Sequence, residues 1–203
     1  MKKTCLVLIL GTILTLSTTA QKSDLKPFKF DISLGYAIPG GTGSKGGVLF
    51  AIEPKYGVMN NKISAGLRME GALVARFGGY DADGMPQDVS IKLSSSYLAT
   101  GDYYFLDNYS FRPFAGLGAG VFMLAGAEAN QSTGGVSAGT KFGGMVRAGV
   151  EISHLRIGFE YNLIPKTTYT GYDENGNLTT GLTSNNGYIG IKLGACIGGG
   201  PRK

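Results

Sequence analysis

The sequence predicts an all-β protein, an eight-stranded antiparallel up-and-down β-barrel that crosses a membrane. The first observation behind this prediction is an alternation of apolar and polar residues with a period of two, longest in 145–165, MVRAGVEISHLRIGFEYNLIP. A strand places such residues on opposite faces, whereas a helix would scatter the charges around its circumference. The second observation is that the apolar faces of the eight predicted strands carry no Asp, Glu, Lys or Arg, while the charged residues of these strands, from Lys29 to Lys192, lie on the opposite faces.

The first twenty residues predict a secretory signal peptide. Lys2 and Lys3 precede an apolar run, and the small residues Thr18 and Ala20 indicate cleavage after Ala20. The apolar run is shorter than the roughly 20 residues that a membrane helix needs. The predicted organisation is a signal peptide at 1–20 and one barrel domain at 21–203, in which Cys196 is the remaining cysteine and no internal disulfide can form.

The first four strands each alternate apolar and polar residues. They are predicted at 28–37, 50–56, 63–75 and 89–103. In the first strand Phe28 and Phe30 fall on one face and Lys29 and Asp31 on the other, and the later strands repeat this arrangement. Between these strands lie a turn at 39–47, a turn at 58–61 and a polar loop that contains Asp83.

The last four strands are predicted at 113–123, 146–152, 155–163 and 188–197. In the fifth strand Gly116, Gly118 and Gly120 alternate with apolar residues, and we expect these glycines to make room for Arg and Lys side chains of neighbouring strands. A short connection at 106–112 precedes this strand, and a loop rich in Gly, Ala and Ser follows it. The sixth and seventh strands are predicted to meet in a tight turn at Ser153 and His154. The segment 165–185 is predicted to be a long polar loop.

The apolar faces are predicted to point outward into lipid. Eight strands leave room for only a modest interior, which could not hold all of these large apolar side chains. If these faces contact lipid, each Arg or Lys that is absent from them avoids a free-energy cost of about 2–4 kcal/mol at mid-bilayer. Closure of the sheet also satisfies the backbone hydrogen bonds. Short turns after strands two, four and six predict the periplasmic end, and longer loops after strands three, five and seven predict the outer end.

The charged residues are predicted to fill the lumen as a network of ion pairs. Its members are Arg68, Glu70, Lys92, Arg147, Glu151, Arg156, Glu160 and Lys192. Strands six and seven each carry one Arg and one Glu on the same face, and the turn between the strands brings the two pairs into adjacent rows. Paired in this way, the charges would offset each other's desolvation and close the barrel, whereas unpaired charges would hold water along an ion path.

The segments RPFAGLGAGVF, GVEISHLRIGFEYNLIP and GYIGIKLGACIGGG resemble the outer-membrane β-barrel family of OmpA and OmpX type, in the form common in the Gram-negative Bacteroidetes. The resemblance covers nearly the whole chain after the signal peptide. It implies a place in the cell outer membrane and contact with outer-membrane lipid and lipopolysaccharide. It also implies insertion by the barrel-assembly machinery and a surface ligand for the extracellular loops. It brings no catalytic residues with it.

Three classes of function remain open. The first is a structural or adhesive barrel that acts through its surface loops in adhesion or envelope integrity. The second is a small pore for ions or small solutes, and the third is an enzyme at the rim that acts on lipid. The sequence favours the first, because eight strands leave no open channel once side chains fill the lumen. His154, the single histidine, falls at the periplasmic turn, away from the outer rim where a lipid-modifying enzyme would need it. No cofactor, metal site or catalytic residue is predicted, and the scattered basic residues argue against a nucleic-acid partner.

Overall fold

Eight strands close into a barrel, which confirms the predicted fold class. The computed structural model describes residues 25–40, 44–76, 90–127, 136–172 and 178–201, so the predicted signal peptide lies outside the described residues. The barrel strands are β1 (Phe28–Pro39), β2 (Ser44–Val58), β3 (Ile63–Arg76), β4 (Ser90–Tyr104), β5 (Arg112–Ala127), β6 (Val136–Ile152), β7 (Leu155–Leu163) and β10 (Tyr188–Gly198). Each strand pairs antiparallel with its chain neighbour, and β10 pairs with both β7 and β1, which completes the circle.

A separate hairpin stands where the sequence predicts an unstructured polar loop. Strands β8 (Thr167–Tyr172) and β9 (Leu178–Ser184) form a two-stranded antiparallel sheet between β7 and β10. The prediction of a plain loop at 165–185 was therefore wrong. The segment is rich in Thr and Tyr, which favour strands, but it lacks the apolar alternation that marks a strand with one buried face.

Three strands begin earlier than the alternation predicts. β2 begins at Ser44 inside the predicted turn, β5 begins at Arg112 instead of Pro113, and β6 begins at Val136, well before the predicted Val146. The added part of β6 pairs with the far end of β5, for example Thr140 with Met123. Backbone hydrogen bonds continue the ladder here, but Gly, Ala and Ser side chains give no alternating pattern that could reveal it.

The two ends of the barrel differ. The turn end carries the short connections at 59–62, 105–111 and 153–154, and the loop end carries the other connections and the β8–β9 hairpin. At the turn end the two ends of the described chain meet, because Leu25 bridges Pro201 and the Lys26 N–H donates to the Gly200 carbonyl. The predicted turn at 153–154 is confirmed, with Ser153 at φ 53°.

The outer surface of the barrel is apolar, as the alternation predicts. Leu117 and Phe142 project from it with 67% and 71% of their surface exposed. Two rows of exposed aromatic side chains border this surface. The turn-end row contains Phe28, Tyr56, Tyr103 and Phe105, and the loop-end row contains Tyr36, Phe50, Phe142 and Tyr161. Such rows are typical of the two interfaces of a membrane-spanning barrel. Among the described residues, no helix is long and apolar enough to cross a membrane.

Candidate functional site: the barrel lumen

The lumen holds thirteen charged side chains in its described part, arranged in two clusters. Every one of the six carboxylates lies within 4 Å of a cation. The turn-end cluster consists of Lys29, Asp31, Glu53, Lys55, Asp102, Arg112, Arg147, Glu151 and Arg156. The loop-end cluster consists of Arg68, Glu70, Glu160 and Lys192. Strand alternation places all of these side chains on inward positions, opposite the lipid-facing ones.

Asp102 is the centre of the turn-end cluster. Its carboxylate accepts hydrogen bonds from Lys55 Nζ at 2.9 Å, Arg147 Nε at 2.7 Å and Arg156 Nη2 at 2.8 Å. Arg147 reaches across the lumen and donates from both terminal nitrogens to the two oxygens of Glu53, each at 2.7 Å. Gly116 makes this arrangement possible, because a Cβ atom there would collide with the Asp102 carboxylate. A carboxylate with three charged donors is an unusually well compensated buried anion.

The turn-end cluster has five cations for four carboxylates, and Arg112 is the least directly paired. Its Nη1 atom lies 3.9 Å from Glu151, while Nη2 donates to the Asn61 carbonyl at 2.5 Å. The guanidinium lies 4.0 Å from the centre of the Tyr104 ring, a cation–π arrangement. Tyr104 in turn donates its hydroxyl to Glu151 at 2.8 Å. The ring and the carbonyl thus provide much of the compensation that a further carboxylate would provide.

The loop-end cluster is electrically balanced. Arg68 donates to both oxygens of Glu160, at 2.7 and 2.6 Å, and also contacts Glu70. Lys192 Nζ lies 2.5 Å from Glu160 and 3.5 Å from Glu70. The Tyr188 hydroxyl donates to Glu70 at 2.5 Å. Two cations and two carboxylates therefore balance one another in a site where Lys192 alone keeps a slight exposure, 11% of its side chain.

An apolar layer fills the lumen on the loop side of the charges. It is formed by Ala37, Leu49, Ala72, Leu98, Phe122, Met145, Ile164 and Tyr188. Phe122 is fully buried, and Met145 touches the loop-end cluster through a contact of 3.3 Å between its sulfur and Arg68 Nη1. Ile164 directly follows β7 and continues its inward face, so it packs into this layer. The lumen is therefore blocked by two kinds of packing, ionic and apolar.

Comparison with known proteins identifies the fold. No protein-family model matches the chain, and no curated protein does. Among solved structures, Neisserial surface protein A (NspA) superposes with a TM-score of 0.57, covering 86% of this chain and 98% of that chain at 15% identity. This chain has the outer-membrane β-barrel fold of the OmpA and OmpX type. The Bacteroidetes form of that fold stays a prediction.

Two further solved structures match this barrel fold less closely. The outer membrane protein OprG of Pseudomonas aeruginosa has a TM-score of 0.46 at 14% identity, covering 85% of this chain and 97% of its own. The attachment invasion locus protein Ail of Yersinia pestis has a TM-score of 0.42 at 17% identity, covering 85% and 99%.

The structure rearranges the predicted partners within the lumen. Glu151 and Arg156 are directly opposite in the β6–β7 ladder and lie 3.3 Å apart. Arg147 and Glu160 are also opposite, but Arg147 turns to Glu53 and Asp102, while Glu160 turns to Arg68 and Lys192. The hypothesis of a ladder of charges along β6 and β7 was therefore wrong for this pair. In a narrow barrel, long side chains reach strands on the far wall as easily as the neighbouring strand.

The remaining predicted site residues divide into two groups. Arg68, Glu70 and Lys192 meet Glu160 in one cluster, as described above. The backbone of Lys92 lies in β4 opposite Val74 and Gly126, but its side chain is outside the described part of the structure.

Several lumen residues were absent from the predicted network. Lys29, Asp31, Glu53 and Lys55 fall on the predicted polar faces of β1 and β2, so the alternation could have included them. Arg112 was assigned to a turn. The apolar layer was missed as well, although it had a signal in the doubled apolar residues Val48–Leu49–Phe50, Tyr97–Leu98–Ala99 and Val121–Phe122–Met123. Within a strand, adjacent apolar residues must point to both faces.

His154 fastens the turn end of the barrel. Its Nδ1 atom lies 2.9 Å from the Cys196 carbonyl on β10, and its Nε2 atom lies 3.0 Å from the Tyr109 hydroxyl in the 105–111 connection. The carbonyl can only accept, so Nδ1 carries the proton and, in the neutral ring, Nε2 accepts from Tyr109. His154 therefore links the β6–β7 turn, β10 and the 105–111 connection.

A double replacement in the loop-end cluster tests whether its charges act together. We expect Arg68→Met with Glu160→Gln to destabilise the folded barrel less than the sum of the single replacements, because Lys192 and Glu70 remain as a neutral pair. Each single change leaves an uncompensated buried charge, at a cost of about 3–5 kcal/mol. Urea unfolding of the barrel in lipid vesicles measures the three free energies. Additive losses would contradict the coupling.

Proposed function

We propose that this protein is an integral outer-membrane barrel whose lumen is closed, and that it acts structurally or through its loop end in adhesion or envelope integrity. The observation that carries the proposal is the filled lumen, in which an apolar layer lies on the loop side of compensated charges. Ions would have to break ion pairs and then cross an apolar constriction, and eight strands leave no continuous channel beside these side chains. Such a role requires no catalytic residue.

The orientation follows from the asymmetry of the barrel. We place the turn end in the periplasm and the loop end at the cell surface, since barrels of this type keep short turns inside and longer loops outside. Among the described residues of the loop end, the β8–β9 hairpin is then the longest element that projects outward. NspA, which has the same fold, is named as a surface protein, which is in keeping with this arrangement.

The base of the hairpin is fixed to the barrel. Asn186 donates from Nδ2 to the Pro165 carbonyl at 2.7 Å and to the Thr167 hydroxyl at 2.8 Å. Lys141 on β6 donates to the Lys166 carbonyl at 3.0 Å, and the Gly40 N–H donates to the Gly187 carbonyl at 3.0 Å. These bonds tie both ends of the hairpin to the rim. A ligand or a second surface would therefore contact the β8–β9 hairpin, whose base is held to the barrel.

Single-channel recording tests the closed lumen. We expect the refolded barrel, with or without the hairpin, to add no steady unit conductance to a planar bilayer. A matched variant in which a short Gly-Ser linker replaces 167–184 should remain closed, because the ionic clusters and most of the apolar layer lie on the barrel strands themselves. Heat-modifiable mobility on gels verifies that both proteins are folded.

Two outcomes would overturn parts of the proposal. A steady conductance in the unmodified barrel would establish the pore alternative. A conductance that appears only when the hairpin is removed would assign the closure to the hairpin instead of the lumen side chains.

A further inference from the structure

A small cavity lies in the lumen where the two charge clusters approach each other, and it is lined by six charged side chains together with Ser33 and Phe114. Its volume is about 20 Å³. Asp31, Glu53 and Arg156 of the turn-end cluster line one side, and Glu160 and Lys192 of the loop-end cluster line the other. In the described part of the lumen, no ion pair joins the two clusters directly. The cavity therefore marks the break between them.

Asp31 brings an incompletely satisfied carboxylate to this cavity. The residue is 5% exposed, and its Oδ2 atom lies 2.5 Å from Lys55 Nζ and 3.5 Å from Arg156 Nε. Its other oxygen, Oδ1, accepts no hydrogen bond of good geometry from the described residues, although the Cys196 thiol of β10 lies within reach of the carboxylate. Buried carboxylate oxygens nearly always have a donor, so Oδ1 can accept a further hydrogen bond from the adjacent space.

Gly158 creates that space. It lies between Arg156 and Glu160 on the inward face of β7, and a Cβ atom there would meet its nearest neighbours, the Ala148 carbonyl and Phe114 Cζ, at 3.9 Å. A cavity of about 10–15 Å³ with two to four polar partners suffices for one water molecule. The site at Gly158 meets both conditions.

We propose that this cavity is a binding site for one water molecule, which donates to Asp31 Oδ1 and joins the two charge clusters through hydrogen bonds. The charges around the cavity favour water over an ion. Three cations, Arg147, Arg156 and Lys192, face three carboxylates, Asp31, Glu53 and Glu160, so the site has no net charge to attract an ion. A water molecule can donate to the carboxylates and accept from the cations at once.

Enclosure gives this water a measurable property. The apolar layer lies on its loop side, and Leu25 and Asn61 are buried at the turn end. Exchange with bulk water would require the barrel to open locally, so the bound water should reside far longer than a hydration water. This slow exchange rests on the closed lumen proposed above, whereas occupancy of the site does not.

Replacements at Gly158 test the site in the whole barrel. In lipid nanodiscs, water-to-amide NOEs at Ser33 and Gly158 should be present in the unmodified protein and lost in Gly158→Ala, whose methyl group displaces the water. Gly158→Ala should also lower the urea midpoint for unfolding. Gly158→Ser should restore most of that midpoint, because its hydroxyl can donate to Asp31 in place of the water. Gly101→Ala is the control, since its Cβ would meet nothing nearer than the Ser64 carbonyl at 4.0 Å.

The same experiments can overturn the proposal. Absence of these NOEs in the unmodified barrel would refute the site, as would their persistence in Gly158→Ala. Anomalous density for a halide or a heavy monovalent cation soaked into crystals would show an ion site instead. If Gly158→Ala fails to fold, Gly158→Ser alone decides the question, because it should fold and remove the NOEs. Rapid exchange at an occupied site would contradict the closed lumen and leave the water site intact.

Discussion

Replacing Asp102 by alanine is expected to destabilise the barrel by about 3–5 kcal/mol or more, because the change leaves buried cations without their shared carboxylate. Lys55, Arg147 and Arg156 all donate to Asp102, whose side chain is fully buried. In this variant Arg147 would still be paired with Glu53, and Arg156 with Glu151. The turn-end cluster, however, already has one more cation than carboxylates. Its excess positive charge would double.

Asp107 provides the matched control for this prediction. It lies five residues further along the chain, in the connection that follows β4, and is exposed, so Asp107→Ala removes the same kind of carboxylate from a solvated position. We expect that variant to unfold within about 0.5 kcal/mol of the unmodified protein. The measurement is equilibrium unfolding in lipid vesicles, followed by tyrosine fluorescence. Similar losses for the two variants would refute the central role of Asp102.

Replacing Leu117 by arginine is expected to cost about 2–4 kcal/mol of folding stability in lipid, because the charge would enter hydrocarbon. Leu117 is 67% exposed and lies on β5 between the two aromatic rows, opposite Gly101 and Val146. Val150 and Ile157 also lie on the outward face, and the alternation predicts a similar loss of stability when either is replaced by arginine. Refolding yields into vesicles of defined thickness measure the effect.

The control for Leu117 must remove volume without adding charge. Leu117→Ala meets this condition, and we expect a much smaller loss, since the side chain faces lipid in place of a packed core. Gly149→Ser, which the alternation suggests as a harmless inward change, is unsuitable because its Cβ would collide with the Ile157 carbonyl. Equal losses for Leu117→Arg and Leu117→Ala would contradict a lipid-facing outer surface.

The fold follows from the sequence because a barrel wall is one residue thick. Every strand residue faces either lipid or lumen, so alternation alone separates Phe28 from Lys29 and Tyr56 from Lys55. Ladder register also follows from short turns, which is why the pairing of Glu151 with Arg156 could be predicted from the turn at 153–154. Face and register both depend on residues that are close in sequence, so they can be predicted from the sequence alone.

The lumen could not be predicted to the same depth because its partners lie far apart in sequence. The contact of Arg147 with Glu53 joins residues on opposite walls, and nothing in either strand specifies the other. The choice depends on barrel diameter, strand tilt and the competing reach of neighbours such as Arg68. The cavity at Gly158 arises from the same three-dimensional fit, so no sequence pattern indicates it.

The meeting of the first and last strands has a consequence for the lifetime of the protein. β1 and β10 pair from Lys29 with Gly198 to Pro39 with Tyr188, and the Leu25–Pro201 bridge extends this seam beyond the strands. A closed ring has no edge strand that can peel away alone, so a strand leaves only when two ladders part together. We therefore expect slow unfolding, with kinetic persistence that exceeds what the equilibrium stability alone would suggest.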